Sequence, residues 1–455
     1  MSLAVERDED VRRSVATDAS GLVLVPEGVA RPANADEVAE LLRQASAERT
    51  AVTPAGAQTS TTAASITDRG ILLSLVAMNR VLDVDVDARL ARVEPGVRLG
   101  ELQRALAPHG LGFAPDPTSE EECTVGGAVA CNASGARTLR YGATREHVQG
   151  LTVVLASGET HELTRTALEK NTVGYALAHD PVDWFVGSEG TLGVVVGATL
   201  RLLPLPERVT GLGLPFASEA AALAFVVAAR ESARVKARCL EYFDEPALEI
   251  ARTVQGEGWA RGAAAFVYAE ESGHADDEPP LDDWLALAEA HGAATDDVLV
   301  FDGDAALRDA RRMRHAVPAT MNERGASFRA AGGRKLSTDW AVPYRKLAGA
   351  IAYARGLADD AGVTQAVTYG HAGNGHPHQN FIARDAAERE RIEAVIGRTL
   401  EHVLSLGGTV AAEHGIGKVK KRWLPMQATP LQLGVMRAVK RELDPLGLLA
   451  PGNVL

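Results

Sequence analysis

An α+β fold in two or three domains is what this sequence predicts, on three observations. The chain has 455 residues, more than one hydrophobic core usually organises. Its N-terminal part alternates short strands and single helices with glycine-rich loops, whereas from about Gly211 to Val410 helices alternate with strands, suggesting a sheet with helices on one face. No repeat at a fixed period breaks that order.

The first element is a helix from Ala35 to Glu48, because Asn34 and Glu37 form a capping pair and Val38, Leu41, Leu42 and Ala45 recur at helical spacing. A strand, Thr50 to Thr53, then runs into the loop PAGAQTS. Val81 to Asp87 alternates apolar residues with Asp and returns as Leu90 to Val93, which reads as a hairpin. Leu99, Leu102 and Leu106 mark a helix stopped by Gly110. Pro115 to Gly142 has no period, and an aperiodic stretch of that length inside a compact domain is usually functional. Strands resume at Val148 to Ala156 and Leu192 to Leu203, with a domain boundary near Glu207. Beyond it come helices at Ser218 to Glu231, Tyr344 to Ala361 and Ala386 to Leu406, strands at Ala263 to Glu270 and Gln365 to Tyr369, and an exposed acidic loop, Ser272 to Pro280.

Composition narrows the function. The apolar fraction is 46% and the charged fraction 24%, as in ordinary globular proteins. With 47 basic against 60 acidic residues, a net −13, and no Lys/Arg run, the chain is not built for nucleic acid or anionic lipid. No segment approaches the roughly 18 consecutive apolar residues of a membrane span, so any membrane contact would be peripheral. Charged residues from Glu6 to Asp10 stand where a secretory leader needs an apolar core. Three cysteines, Cys123, Cys131 and Cys239, with no CxxC spacing, predict neither a disulfide framework nor a thiolate zinc site and fit a reducing cytoplasm.

Three segments supply the glycines that let backbone N–H groups approach a pyrophosphate: PAGAQTS (Pro54 to Ser60), TVGGAVACNASG (Thr124 to Gly135) and GSEGTLG (Gly187 to Gly193). Any one alone reads equally well as a set of tight turns. No GxGxxG follows a strand and no GxxxxGK[ST] occurs, which argues against NAD and ATP. In this order, and with Pro115 to Gly142 and GSEGTLGVV (Gly187 to Val195) read in full, the segments resemble the FAD-binding domain of the vanillyl-alcohol oxidase and p-cresol methylhydroxylase superfamily (the PCMH type).

The resemblance covers roughly Thr17 to Glu207 and implies two α+β subdomains holding an extended FAD. It implies cofactor contacts from Pro54, Gly56, Ala57, Gln58, Thr59, Ser60, Pro115, Asp116, Gly126, Gly127, Asn132, Ser134, Gly135, Glu189, Gly190 and Val195. Ala55 and Gln58 depart from the usual Arg and Gly, which predicts a less tight first loop. Cys123 and Cys131 read as small packing residues, so FAD is expected to be non-covalent.

Four of the 12 histidines fall in YGHAGNGHPHQNFIA (Tyr369 to Ala383) and AAEHGIGK (Ala411 to Lys418). Residues two apart on a strand share a face, so His376, His378 and Asn380 could point into one cavity that His371 reaches from a glycine turn. Imidazoles with a carboxylate suit zinc, manganese or iron, and His371, His378 and Glu413 could form such a site, although any one of these histidines alone would read as an ordinary hydrogen-bonded loop residue.

HAGNGHPHQN and EHGIG are similar to the paired C-terminal motifs of the D-2-hydroxy acid dehydrogenase branch, which includes D-lactate dehydrogenases and the glycolate oxidase flavin subunit. That similarity implies His371, His378 and Glu413 as metal ligands, Asn380 as a substrate contact and His414 as the base. Arg314 matches the branch's substrate-clamping Arg, with Lys335 as a second cation; both also read as surface charges. Asn374, His376, Pro377 and Ala411-Ala412 replace the usual Asp, Asn, Leu and Ser-Gly. PGNVL resembles the closing segment, which adds Asn453 to the cofactor contacts.

The organisation this implies is a PCMH-type FAD-binding domain over 17–207, an antiparallel-sheet substrate (cap) domain over 208–410, and a C-terminal segment, 411–455, packing back on the FAD domain. The expected activity is FAD-dependent oxidation of a small D-2-hydroxy acid, D-lactate or a close analogue, with a divalent metal, zinc foremost. Implied partners are a quinone, cytochrome or electron-transfer flavoprotein as acceptor, and a homodimer is allowed. Rival readings are a same-fold FAD oxidase of an aromatic alcohol, a glycolate oxidase subunit, a metal-dependent hydrolase whose glycine loops are only turns, and a binding module without turnover.

Overall fold

The computed structural model describes residues 4–166, 168–175, 179–256 and 259–455. The chain forms two compact units, one made of Met1–Gly135, Gly142–Leu205 and Glu413–Leu455, the other of Ala136–Tyr141 and Pro206–Ala412.

The first unit opens with β1 (Val5–Glu6), β2 (Gly28–Ala30), β3 (Val52–Ala55) and β4 (Ile71–Ser74), a sheet in the order β1-β2-β4-β3. Asn34 starts the intervening helix, Ala35–Glu48, by accepting from Glu37 N at 3.0 Å, while Glu37 accepts from Ala33 N at 2.8 Å. The next strands are β5 (Val81–Asp85), β6 (Leu90–Val93), β7 (Leu111–Gly112), β8 (Val148–Val154), β9 (Thr160–Thr164), β10 (Val194–Arg201) and β11 (Leu203–Pro204). Five of them form a second sheet, β5-β6-β10-β8-β9, and β7 pairs with β11. The apolar stripe of helix Ala35–Glu48 packs on Val52 and Leu73 from one sheet and on Val154 and Val194 from the other. That shared core holds two α+β halves in one unit.

The second unit contains β12 (Arg208–Phe216), β13 (Ala237–Asp244), β14 (Ala265–Gly273), β15 (Leu299–Asp302), β16 (Gly332–Ser337), β17 (Ala366–Gly370) and β18 (His378–Asp385). They form one sheet, β15-β12-β14-β13-β17-β18-β16, in which every pair is antiparallel. The register pairs Glu241 with Tyr268, Phe243 with Tyr369, Tyr369 with His378, Asn380 with Ser337 and Ile382 with Lys335. Side chains alternate along a strand, so Glu241, Phe243, Tyr369, His378, Asn380 and Lys335 all stand on one face.

That face is covered by the helices Glu245–Gln255 and Gly303–Ala326 through Leu248, Ala251, Met313, Val317 and Met321. The second helix is rich in charge and carries Pro318, yet its buried Leu307, Met313, Val317 and Met321 each contribute about 1.5–3 kcal/mol of burial. Packing, not propensity, places Arg314 over the sheet. Leu212, Leu214 and Phe216 point to the opposite face, where Phe225 of helix Glu219–Glu231 meets Phe216 with ring centroids 5.4 Å apart. Among the described residues no helix is long and apolar enough to cross a membrane.

Candidate active site

In the first unit the three glycine segments pack against one another. A Cβ on Gly56 would lie 2.2 Å from Thr124 Oγ1, so the first loop touches the second; one on Gly190, at φ +73°, would lie 2.5 Å from Pro54 Cγ, so the third touches the first. Gly135 passes equally close to Asp116, where a Cβ would lie 2.3 Å from the carbonyl oxygen. Pro54, Ala57 and Thr59 complete the first loop, and Pro115 and Asp116 open the second. Gly126 and Gly127 lie in the first turn of helix Val125–Cys131, capped by Thr124 Oγ1 accepting from Gly127 N at 3.3 Å. A cradle of glycine backbone packed on Thr124 and Pro54 fits the phosphate-bearing part of a dinucleotide.

Several polar residues expected at the cofactor are engaged with protein partners. Gln58 adopts φ +56°, the left-handed conformation that costs a non-glycine residue roughly 1–2 kcal/mol. Its amide offsets that by donating to Val15 O at 2.8 Å, which ties the loop down where a looser one was expected. Ser60 Oγ accepts from Thr62 N at 3.2 Å, and Asn132 Oδ1 accepts from Arg145 N at 2.9 Å. Val195 packs in the core of the second sheet.

Glu189 is buried, and its two carboxylate oxygens accept from Ile416 N and Gly417 N, each at 2.6 Å. Burial outweighs those bonds and nearby lysines and pushes its carboxyl above the ordinary range. Asn453 accepts from Lys418 Nζ at 2.7 Å and donates to Ala64 O at 2.9 Å and Glu189 O at 3.2 Å. Together they anchor EHGIG and the C-terminal residues to the third loop and to Ala64, just beyond the first. Glu189→Ala is expected to lower stability by about 1.5–3 kcal/mol, and Glu189→Gln by less because the amide oxygen still accepts. Thermal melts of both variants check this.

His414 and Glu413 belong to this unit. Ser134 Oγ donates to Glu413 Oε1 at 3.0 Å, and His414 Nε2 lies 3.9 Å from Glu413 Oε2. The His414 side chain is about one-third exposed, at 32%, so its ring is partly accessible.

In the second unit, β17 ends at Gly370 and β18 begins at His378, and the loop between them folds back through His376 N donating to His371 O at 3.1 Å. His371, His376 and His378 are all buried, with ring centroids 5.5, 5.2 and 4.6 Å apart for the pairs 371–376, 371–378 and 376–378. Each offers a ring nitrogen within 4.8 Å of the others'. Strand alternation explains why His378 and Asn380 share a face, but His376 precedes the strand and reaches the cluster through the turn at Gly375.

Two carboxylates orient these rings. His371 Nδ1 is 2.6 Å from Glu241 Oε1, and His376 Nε2 is 3.0 Å from Asp339 Oδ1. A carboxylate on one ring nitrogen is the usual arrangement behind a metal-bound imidazole, since it fixes the tautomer that presents the other nitrogen. The donor set therefore fits a divalent ion of the zinc, manganese or iron type. Neither Glu241 nor Asp339 carries a motif in the sequence, and Glu241 lies 130 residues from His371, so nothing local could have announced the pairing.

The substrate-clamp candidates are placed differently. Arg314 Nε lies 3.3 Å from Glu241 Oε2 and the guanidinium carbon 5.3 Å from the Tyr369 ring centroid, so Arg314 braces the group that orients His371. Burial alone would raise the Glu241 carboxyl, but His371 and Arg314 together hold it below the ordinary range. Asn380 donates to Tyr369 Oη at 3.1 Å. Lys335 Nζ donates to Asn322 Oδ1 at 2.6 Å, on the same sheet face, and burial lowers its ammonium to about 8.

Comparison with known proteins adds identity to this geometry. Residues 205–454 match the family described as FAD linked oxidases, C-terminal domain, and residues 26–164 match an FAD binding domain. A D-lactate dehydrogenase of Archaeoglobus fulgidus is 33% identical over 94% of this chain and 91% of its own. The glycolate oxidase subunit GlcD of Bacillus subtilis is 31% identical over 94% and 89%. A D-2-hydroxyglutarate dehydrogenase of Xanthomonas citri is 32% identical over the same shares. Among solved structures, an alkyldihydroxyacetonephosphate synthase covers 98% of this chain and 82% of its own at TM-score 0.73 and 17% identity, a likeness of fold.

Proposed function

The chain belongs to the FAD-linked oxidase family, in the branch of D-lactate, D-2-hydroxyglutarate and glycolate-oxidising enzymes, and from that premise we propose that it oxidises a small D-2-hydroxy acid, D-lactate or a close analogue, to the 2-oxo acid. The observation that carries the reading is the buried cluster of three histidines, two of them oriented by carboxylates. An aromatic-alcohol oxidase of the same fold would have no use for it.

Bound FAD supplies the acceptor for the α-hydrogen as hydride, and a divalent ion supplies a Lewis acid for the α-hydroxyl. His371 and His378 would hold the ion, with Glu413 as the carboxylate ligand that its motif assigns. His414 is the base that takes the hydroxyl proton, a role suited to an imidazole at neutral pH. Arg314, Lys335 and Asn380, each also held by a protein partner, are the candidates for holding the substrate carboxylate and hydroxyl. Electrons then leave to a non-nicotinamide acceptor.

Turnover of D- and L-lactate, glycolate and D-2-hydroxyglutarate with a dye acceptor tests the reading. The expected pattern is activity with a D-acid that is lost on chelation and restored by zinc or manganese; activity untouched by exhaustive chelation and confirmed metal loss would reject the metal-assisted route. FAD is expected to be released intact by acid precipitation. Burial pushes the Cys123 thiol to about 11 and that of Cys131 to about 12, so neither is a thiolate available to attack the flavin at neutral pH. A flavin that stays with the pellet would contradict this.

A further inference from the structure

Resting on the metal-assisted reading above, we propose that His376 is itself a metal ligand, so that this chain holds its ion with three imidazoles, His371, His376 and His378, and that Asp339 positions His376 for that role.

The geometry is specific. Gly375, at φ +70°, sits so close to Val342 that a Cβ there would lie 2.0 Å from the Val342 carbonyl oxygen, and this turn delivers the next residue, His376, into the cluster. Its ring centroid is 4.6 Å from that of His378, the shortest separation among the three. His376 is 4% exposed, and its Nε2 is buried without a hydrogen bond although Asp339 Oδ1 stands 3.0 Å away. A buried ring nitrogen that close to a carboxylate oxygen, yet out of line for hydrogen bonding, is poorly satisfied by protein alone. A cation held by the other ring nitrogen, Nδ1, fixes the proton on Nε2, where it faces Asp339 as the positioning partner. It also resolves the mutual approach of three imidazoles whose ring nitrogens lie within 4.8 Å of one another. His371 Nδ1 is directed to Glu241 Oε1 at 2.6 Å, a carboxylate partner of the kind that orients a metal-bound imidazole.

Three neutral imidazoles make a nitrogen-rich site, which favours zinc or cobalt over magnesium or calcium. The opposing reading is a simple ion pair between a protonated His376 and Asp339, with the ring taking no part in coordination. The two readings differ in what cobalt sees.

The test uses the full-length FAD-loaded protein, stripped of metal and titrated with Co2+. Wild type is expected to take up one Co2+ per chain with a visible ligand-field spectrum. His376→Asn should bind Co2+ at least about 100-fold more weakly with a shifted spectrum, and Asp339→Asn about 10-fold more weakly, while FAD content and thermal midpoint stay close to wild type. X-ray absorption of the zinc-loaded wild type, which needs no variant, should count three imidazoles. Two imidazoles, or His376→Asn binding cobalt with wild-type affinity and spectrum, would overturn the proposal. If His371→Asn loses cobalt while His376→Asn keeps it, this inference falls and the functional reading stands. If wild type itself binds neither zinc nor cobalt, both fall.

Discussion

Replacing His414 by alanine is expected to leave FAD bound and to slow reduction of the flavin by substrate about 10²- to 10⁴-fold, the usual range for removing a general base. The backbone here is held independently of the imidazole. Thr62 Oγ1 donates to His414 O at 3.4 Å, and Glu189 fixes the next two amides beyond Gly415, so the segment keeps its place when the ring is gone. The ring is about one-third exposed, so the thermal midpoint should fall by no more than a few degrees. Stopped-flow reduction under anaerobic conditions separates this from a binding defect. Flavin reduction at the wild-type rate would remove His414 as the base.

Glu241→Ala is expected to be the most destabilising single change. It would leave Arg314 and His371 without the carboxylate they share, and truncating one partner of a buried ionic cluster costs about 3–5 kcal/mol. In a unit of this size that corresponds to a fall in thermal midpoint on the order of 10 °C. Metal retention should fall about 10- to 100-fold as well, because His371 loses the group that sets its tautomer. Glu241→Gln keeps the shape and one acceptor oxygen, so it should recover part of the stability but little of the metal affinity. Paired melts and metal analyses of the two variants check the order. A Glu241→Ala protein with unchanged melting and metal content would show that the carboxylate orients nothing.

Local signals were legible in the sequence where the chemistry is local. Asn34 caps the first helix as its spacing with Glu37 predicts, and the alternation of Val81 to Asp87 becomes the hairpin of β5 and β6. Ser218 caps the helix Glu219–Glu231, and the helices Leu347–Asp360 and Ala386–Ser405 lie within a few residues of their periodic patterns. The glycine segments are brought together at Gly56, Thr124, Gly190 and Pro54, and the clustered histidines meet.

What the sequence hid depends on distance along the chain or on burial. β12 and β13 are buried nearly throughout, so no alternation marks them as strands. Helix Gly303–Ala326 has an interior proline and many charges, and it exists because a few apolar residues find a sheet. Arg314 reads in the sequence as a cation awaiting a carboxylate from outside, yet Glu241 meets it from 73 residues away. Asp339 is equally silent, since one aspartate in GRKLSTDWAVP has no pattern around it; only the fold places it beside His376.

The most direct test of the central claim is the visible spectrum of the purified protein under anaerobic conditions, before and after adding D-lactate, L-lactate, glycolate and D-2-hydroxyglutarate separately. The account predicts an oxidised flavin band that one D-acid bleaches and L-lactate does not. A colourless protein that FAD does not reconstitute, or a flavin that none of these acids reduces, would contradict it.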